Sequence, residues 1–296
     1  MVKIAITIDV EGYQRAGKDK YKCVEKTIPK LISLFNQSNI KITWFIVHDR
    51  WDTITKKFPF FIDKMDKNGE LGCHVHFMDK KNKYNIAYDF QKELIGDATK
   101  FLRNKGFDIA SFRGGAYFFN QDTLKVLEEL NYLVDSSVIP GYYALHASNG
   151  IIKRKFVNFF PNKNINGIEI NHKNNSNLSP YYLSKQNYNK KGNSKILEIP
   201  LVVNPILNID IGCFSRFLSL PISLISAIND FSIIDRLIKR KYSDSYIVLN
   251  SHPINFYNNL DIKLKKLNNF IKEYKKRKVE FSTLREIYDD YQKRKI

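Results

Sequence analysis

The chain has 296 residues, enough to bury one large core, and its 43% hydrophobic and 14% aromatic content excludes wholesale disorder. Lys and Arg number 48 against 30 Asp and Glu, a net charge of +18. The basic residues are mostly Lys scattered among Asn, Ile and Tyr, without the clustered Arg or reader motif of a nucleic-acid-binding protein. No apolar run of about 18 residues is present to span a bilayer, and no basic-then-apolar leader opens the chain. Cys23, Cys73 and Cys213 are odd in number and widely spaced, which supports neither a disulfide framework nor a zinc ribbon. A reducing, cytoplasmic setting is expected. The charge suits an acidic polymer or the inner face of an anionic membrane.

In chain order, Lys3–Ile8 reads as a strand and Glu25–Asn36 as a helix, with Ile28, Leu31, Ile32 and Phe35 on its apolar face. Ile40–Val47 is a second strand, followed by a short helix over Phe60–Lys67 that stops at Asn68-Gly69. Glu70–His76 is a third strand, Phe90–Lys105 a long helix ended by Gly106, and Ser111–Arg113 a fourth strand. A helix over Asn120–Leu130 leads into Tyr132–Asp135. Repeated strand–helix units predict a parallel α/β sheet, with reactive residues at the carboxyl ends of its strands. From Gly141 to Lys195 the pattern dissolves into Asn, Lys, Ser and Tyr, an irregular insertion with room for small extra strands. Ile196–Val203 resumes as a strand, and Phe217–Lys239 reads as a helix interrupted by Pro221 whose apolar stretch is core or cover rather than a membrane-lying segment. A strand over Tyr246–Asn250, a basic amphipathic helix over Ile262–Arg277, a short strand over Val279–Ser282 and a helix over Leu284–Gln292 close the chain. No repeat or linker divides it, so one domain over residues 1–296 is expected.

The chemistry starts in the first strand. Asp9 and Glu11 lie two apart at its end, so on an extended strand both carboxylates face the same side. Like charges so placed repel unless a cation or a shared proton sits between them. Further along stand His74-Val75-His76, Arg113 beside Gly114-Gly115, Asp135 and His252 before Pro253. Together they supply the parts of a metal-assisted hydrolase.

The order of these pieces resembles the polysaccharide deacetylase family, also called NodB-like or carbohydrate esterase family 4, over nearly the whole chain. The resemblance is carried by Thr7-Ile8-Asp9-Val10-Glu11-Gly12, Ile42-Thr43-Trp44-Phe45, Gly69-Glu70-Leu71-Gly72-Cys73-His74, Phe112-Arg113-Gly114-Gly115-Ala116-Tyr117, Asp135-Ser136-Ser137, Leu197-Glu198-Ile199-Pro200 and Leu249-Asn250-Ser251-His252-Pro253. It implies an irregular (β/α)7 barrel. By the same resemblance Asp9 is the general base, braced by Arg113, and Glu11 and His74 are metal ligands. Backbone N–H groups near Ala116 and Tyr117 hold the oxyanion, and His252 is the acid, kept protonated with help from Asp135.

Two positions depart from the family. Its second carboxylate is commonly Asp, where this chain has Glu11, and its two metal histidines stand four apart, which places Met78 at the second position. His76, two after His74, puts both imidazoles on one side of a strand and is taken as the third ligand, with Met78 and Asp79 as alternatives. The expected cofactor is a divalent ion, Zn²⁺ by ligand type. The expected activity is hydrolysis of the N-acetyl amide of an amino sugar in a cell-surface glycan precursor, such as a lipid-linked oligosaccharide. An amidohydrolase for a small non-sugar amide and a metal-free glycan-binding protein are the alternatives.

Overall fold

The computed structural model describes residues 2–13, 19–49, 54–79, 81, 83–147, 150–151, 167–203, 222–239 and 246–294. Its first half is a succession of strand and helix: β1 (Lys3–Val10), α1 (Lys22–Gln37), β2 (Ile42–Val47), α2 (Ile54–Lys57), α3 (Pro59–Asn68), β3 (Gly69–Val75), α4 (Tyr88–Arg103), β4 (Ser111–Gly114), α5 (Gln121–Glu129) and β5 (Val134–Asp135). Each helix buries one stripe. In α1 that stripe is Cys23, Val24, Thr27, Ile28, Leu31, Ile32 and Phe35, the three-and-four spacing of an amphipathic helix. Helix α3 begins with Pro59, whose missing N–H costs nothing at a first helical position. At α5, Asn120 accepts a hydrogen bond from the Thr123 N–H, while the Thr123 hydroxyl accepts one from the Asn120 N–H.

The second half adds β6 (Tyr143–Ala147), β7 (Gly150–Ile151), β8 (Gly167–Asn171), β9 (Tyr181–Tyr182), β10 (Leu197–Glu198), α6 (Leu224–Asn229), α7 (Ser232–Lys239), β11 (Tyr246–Ser251), α8 (Pro253–Tyr257), α9 (Leu260–Lys276), β12 (Glu280–Phe281) and α10 (Leu284–Lys293). The main sheet runs β11-β1-β2-β3-β4-β5-β10-β9, with β12 paired to the start of β1. All its pairings are parallel except β9 on β10. The sheet curls into an incomplete barrel whose central strands are buried on both faces, which is why β1 and β2 read as continuous apolar runs. Ile4, Ile6, Ile8, Trp44 and Ile46 belong to the main core, and Ala5, Phe45, Val134, Leu197 and Val248 form a second cluster.

The region 141–195 carries the small extra strands it had room for: β7, β6 and β8 make a three-stranded antiparallel sheet, and Ala144, Ile168 and Ile170 join the main core. Two stretches differ from the sequence-based expectation. The expected strand Ile196–Val203 pairs as a ladder only at Leu197–Glu198, because Pro200 has no N–H to give. Ile199 and Leu201 still donate to the Asp135 and Val138 carbonyls. The helix expected over Phe217–Lys239 is divided. Residues 217–221 lie outside the described residues, and α6 and α7 are separate helices: Ser223 caps α6 by accepting from the Ser226 N–H, and Asp230, the C-cap of α6, accepts from the Ser232 N–H in the turn that leads into α7. Leu224, Ala227 and Ile228 are buried, so this part of the apolar stretch is core. Among the described residues no helix is long and apolar enough to cross a membrane.

The insertion also buries a titratable group. His172, at the end of β8, is fully buried; its Nδ1 accepts a hydrogen bond from the Ile139 N–H at 3.2 Å, and burial pushes its pKa from 6.5 down to about 3. The imidazole is neutral in the fold and must charge on unfolding in acid. Its contribution to stability is complete above pH 6.5 and is lost as pH falls toward 3. Acidification to about pH 5 is expected to cost about 2 kcal/mol through this one group. Urea denaturation at the two pH values tests this, and His172→Gln, which keeps an acceptor for Ile139, should flatten the dependence.

Candidate functional site

The parallel order of the sheet brings the carboxyl ends of β1, β2, β3, β4 and β11 to one face. The register sets Asp9 against Phe45, Val47 against His74, and His74 against Arg113, while Ile8 stands opposite Ser251, one residue before His252. Side chains far apart in sequence therefore leave the sheet within one turn of each other.

Glu11, His74 and His76 each offer a ligand atom, and the three atoms lie within 4.8 Å of one another. His76 Nε2 is 2.9 Å from Glu11 Oε2, and His74 Nε2 is 3.9 Å from the same oxygen. Both rings are held by their other nitrogen: His74 Nδ1 lies 2.9 Å from the Arg113 carbonyl oxygen, and His76 Nδ1 lies 2.9 Å from Asp49 Oδ2. A proton on each Nδ1 leaves each Nε2 with its lone pair pointed at the carboxylate, the arrangement a metal-binding imidazole requires. Two imidazoles and a carboxylate are a donor set that could hold a divalent ion. The residues present fit a divalent ion.

Charge in this cluster is balanced by neighbours. Burial holds the His74 imidazole below its ordinary range, so it is neutral at pH 7. For His76 burial acts the same way, but Glu11 and Asp49 overrule it and raise the imidazole well above its usual value. A cation must therefore displace a proton from His76, and its affinity weakens in acid. Glu11 is opposed by burial but lowered by His76, His252 and His74.

Beside the cluster, Asp9 sits in a lattice of hydrogen bonds. Oδ1 accepts from Arg113 Nη1 at 2.8 Å, and Oδ2 accepts from Asn250 Nδ2 at 3.0 Å. Burial alone would raise this carboxyl; the Arg113 guanidinium, with His74 and His252, brings it down to about 2. Arg113 is fully buried and satisfied: Nη1 also donates to the Thr7 hydroxyl, Nε to the Ser136 carbonyl and Nη2 to the Ser136 hydroxyl, and its guanidinium carbon lies 4.3 Å from the Phe45 ring centre. His252 Nε2 lies 3.2 Å from Glu11 Oε1 and 3.5 Å from Asp9 Oδ2, between the two acids.

After β4 the backbone turns sharply over Gly115–Tyr117. Ala116 and Tyr117 both have positive φ, 55° and 63°, a conformation that non-glycine residues adopt in succession only under constraint. A Cβ on Gly114 would run into the Phe118 carbonyl, and one on Gly115 into the His76 ring, so the glycine pair lets this turn close over the site. The Tyr117 hydroxyl accepts from Asn250 Nδ2 at 2.8 Å, tying the turn to the amide that also holds Asp9.

Asp135 faces a different task from the one the sequence suggests. Its carboxylate accepts from the Ser137 hydroxyl at 2.7 Å and the Ser137 N–H at 3.1 Å, rather than supporting His252. The Ser137 hydroxyl in turn accepts from the Gly114 N–H at 2.9 Å. Asp135 also meets buried Glu198: burial raises the Asp135 carboxyl against the hydrogen bond with Glu198, which lowers it, while burial and then the Asp135 charge raise Glu198 well above its usual value, so Glu198 is the member that carries the proton. Asp135 thus fixes the turn at Gly114. Asp79 is likewise spent on a turn, accepting from the Lys81 and Lys83 N–H groups, and Met78 pairs through its backbone with Tyr84. His76 is the residue that joins Glu11 and His74.

Two residues of this site escape the sequence reading. Asn250 has its signal in the run before His252, but an Asn in a strand carries no chemistry of its own. Asp49 follows β2, and its fully buried side chain accepts from both the backbone N–H and Nδ1 of His76, at 3.1 and 2.9 Å. Only the fold brings it there. Asp49→Ala is expected to weaken Zn²⁺ binding about 10- to 100-fold by freeing the His76 ring, measured by calorimetric titration of the metal.

No family model matches this sequence, and no curated protein matches it. Solved structures do. A protein from Mycobacterium smegmatis assigned as a polysaccharide deacetylase superposes with a TM-score of 0.61 at 16% identity, over 99% of this chain and 91% of that one. A Parabacteroides distasonis protein assigned as a glycoside hydrolase or deacetylase gives 0.62 at 12% identity, over 98% and 71% of the two chains. The allantoinase PuuE gives 0.59 at 12% identity, over 97% and 88%. With this sheet order and these strand-end residues, the chain has the NodB-like (β/α)7 fold of the polysaccharide deacetylases.

Proposed function

We propose that this protein is a metal-dependent N-deacetylase that hydrolyses the N-acetyl amide of an amino sugar in a cell-surface glycan precursor, acting on the cytoplasmic side. The observation that carries this reading is the meeting of two different groups at one point: a metal-ligand cluster of Glu11, His74 and His76, and an ionised Asp9 locked by Arg113. His252 between the acids completes it. The buried thiols of Cys23 and Cys73, unpaired, suit a reducing compartment.

Glu11, His74 and His76 would hold the ion. Bound there, a divalent cation, Zn²⁺ in our reading, polarises an amide carbonyl and acidifies water enough for a weak base to deprotonate it. Asp9 is such a base: ionised at neutral pH and fixed in orientation by Arg113 and Asn250, it takes the proton from the attacking water. The turn at Ala116 and Tyr117 presents backbone N–H groups where negative charge grows on the carbonyl oxygen. His252 gives a proton to the departing amine as the C–N bond breaks, which leaves acetate and the free amino sugar.

The test is direct. Protein purified without chelator is assayed for bound metal and for acetate released from N-acetylated amino-sugar oligomers. Acetate release that chelation abolishes and Zn²⁺ restores supports the proposal. Bound metal with turnover only of small non-sugar amides would replace it by the amidohydrolase reading, and absence of metal with sugar binding intact by the binding-protein reading.

A further inference from the structure

Among the described residues, the large apolar side chains that stand exposed are Tyr13 (38%), Phe60 (61%), Ile86 (43%) and Ile262 (59%). They are not scattered. Tyr13 follows the end of β1, Phe60 is the second residue of α3, Ile86 comes just before Ala87, the N-cap of α4, and Ile262 is the third residue of α9. In a parallel sheet each connecting helix runs back against the strand before it, so helix N-termini lie at the carboxyl ends of the strands. All four residues therefore sit on the face that holds Asp9, Glu11, His74 and His252. At the opposite end of the sheet the exposed residues are polar or charged, Asn39, Lys41, Asp66, Asn104, Lys105 and Asp108 among them.

Three of the four have exposed lysines near them in the chain. Lys56 and Lys57 precede Phe60, Lys64 lies 4.2 Å from the centre of its ring, Lys83 precedes Ile86, and Lys265 and Lys266 follow Ile262. Several acids on these elements are already paired: Asp19 with Lys22, Glu25 with Lys57 and Asp261 with Lys30. Separate apolar side chains on the site-bearing face, three of them flanked by exposed lysines, in a chain of net charge +18, match the interfacial zone of an anionic bilayer. There apolar groups enter the headgroup boundary while Lys meets lipid phosphate.

We infer that the site-bearing face docks on an anionic lipid surface through Phe60 and Ile262, with Tyr13 and Ile86 at its rim, so that the substrate is a glycan carried on a membrane lipid. The surface stands on its own observations; the identity of the substrate rests on the deacetylase reading.

The experiment is co-sedimentation of the full chain with vesicles of phosphatidylcholine alone and of phosphatidylcholine with phosphatidylglycerol. Binding is expected to the anionic vesicles, to fall with added salt, and to drop at least tenfold in Phe60→Ser/Ile262→Ser, whose positions are exposed and leave the core intact. Lys64→Glu/Lys265→Glu is expected to cost tenfold or more at low salt, since each lysine near a charged surface is worth about fivefold. Equal binding of all variants, binding indifferent to lipid charge, or no binding to either vesicle overturns the inference. So does self-association through Phe60 and Ile262, read by sedimentation velocity, which would assign the face to a second copy of the chain. Glu11→Ala serves as the control: it should lose metal and still bind vesicles. Acetate release from soluble sugars without vesicle binding sinks the surface and spares the deacetylase, whereas vesicle binding without any deacetylation does the reverse.

Discussion

Asp9→Asn is expected to slow acetate release about 10²- to 10⁴-fold, the usual cost of losing a general base. The substitution keeps the shape of the side chain and one acceptor for Arg113, but an amide cannot take the water's proton. Glu11, His74 and His76, the residues proposed to hold the ion, are unchanged in this variant, so on that proposal bound metal should remain near one per chain. This split identifies a proton-transfer role, because loss of a ligand would lower metal content as well. Turnover at saturating Zn²⁺, with metal content measured on the same preparation, is the check. A variant that keeps more than a tenth of the wild-type rate would remove Asp9 from the mechanism.

Arg113→Met should be the most damaging single change to the fold. The guanidinium is fully buried, and it makes the 2.8 Å ion pair with Asp9 as well as the bonds to Thr7 and Ser136. Removing it leaves a buried carboxylate without its cation, which costs about 3–5 kcal/mol. In thermal unfolding that is a fall of roughly 10 °C for a chain of this size. The same variant should lose activity, since Asp9 loses the charge that keeps it ionised. The double variant Asp9→Asn/Arg113→Met settles the origin of the cost. With no orphan charge left, it should be more stable than Arg113→Met alone. If the double variant is the less stable of the two, the pair is not the cause.

Much of the site is legible in the chain because strand geometry is local. A two-residue repeat predicts one face for Asp9 and Glu11 and one for His74 and His76; Glu11 and His76 each stand one residue past their strand, and there the carboxylate and the imidazole meet. The apolar runs that bury β1, β2 and β11, and the helices between them, mark a parallel sheet, and a parallel sheet fixes at which end those residues stand. Spacing alone left His76, Met78 and Asp79 as alternatives for the third ligand, because the choice depends on where the chain goes after β3. There Asp79 is drawn into a turn over Lys81 and Lys83, while Asp49, carried in by β2, grips His76.

Asp135 shows the other boundary. Its position after a helix and at a strand end was readable, but its partner was not, since Ser137 lies two residues away and Glu198 arrives from a distant strand. The sequence by itself determined which chemical groups this protein owns and, through the period of its strands, which of them share a face. Tertiary structure alone decided which groups meet: Asp49 with His76, Asn250 with both Asp9 and Tyr117, and Asp135 with Glu198 rather than His252. The reason is that period and propensity act over a few residues, whereas these contacts are made by strand order and loop course across the whole chain.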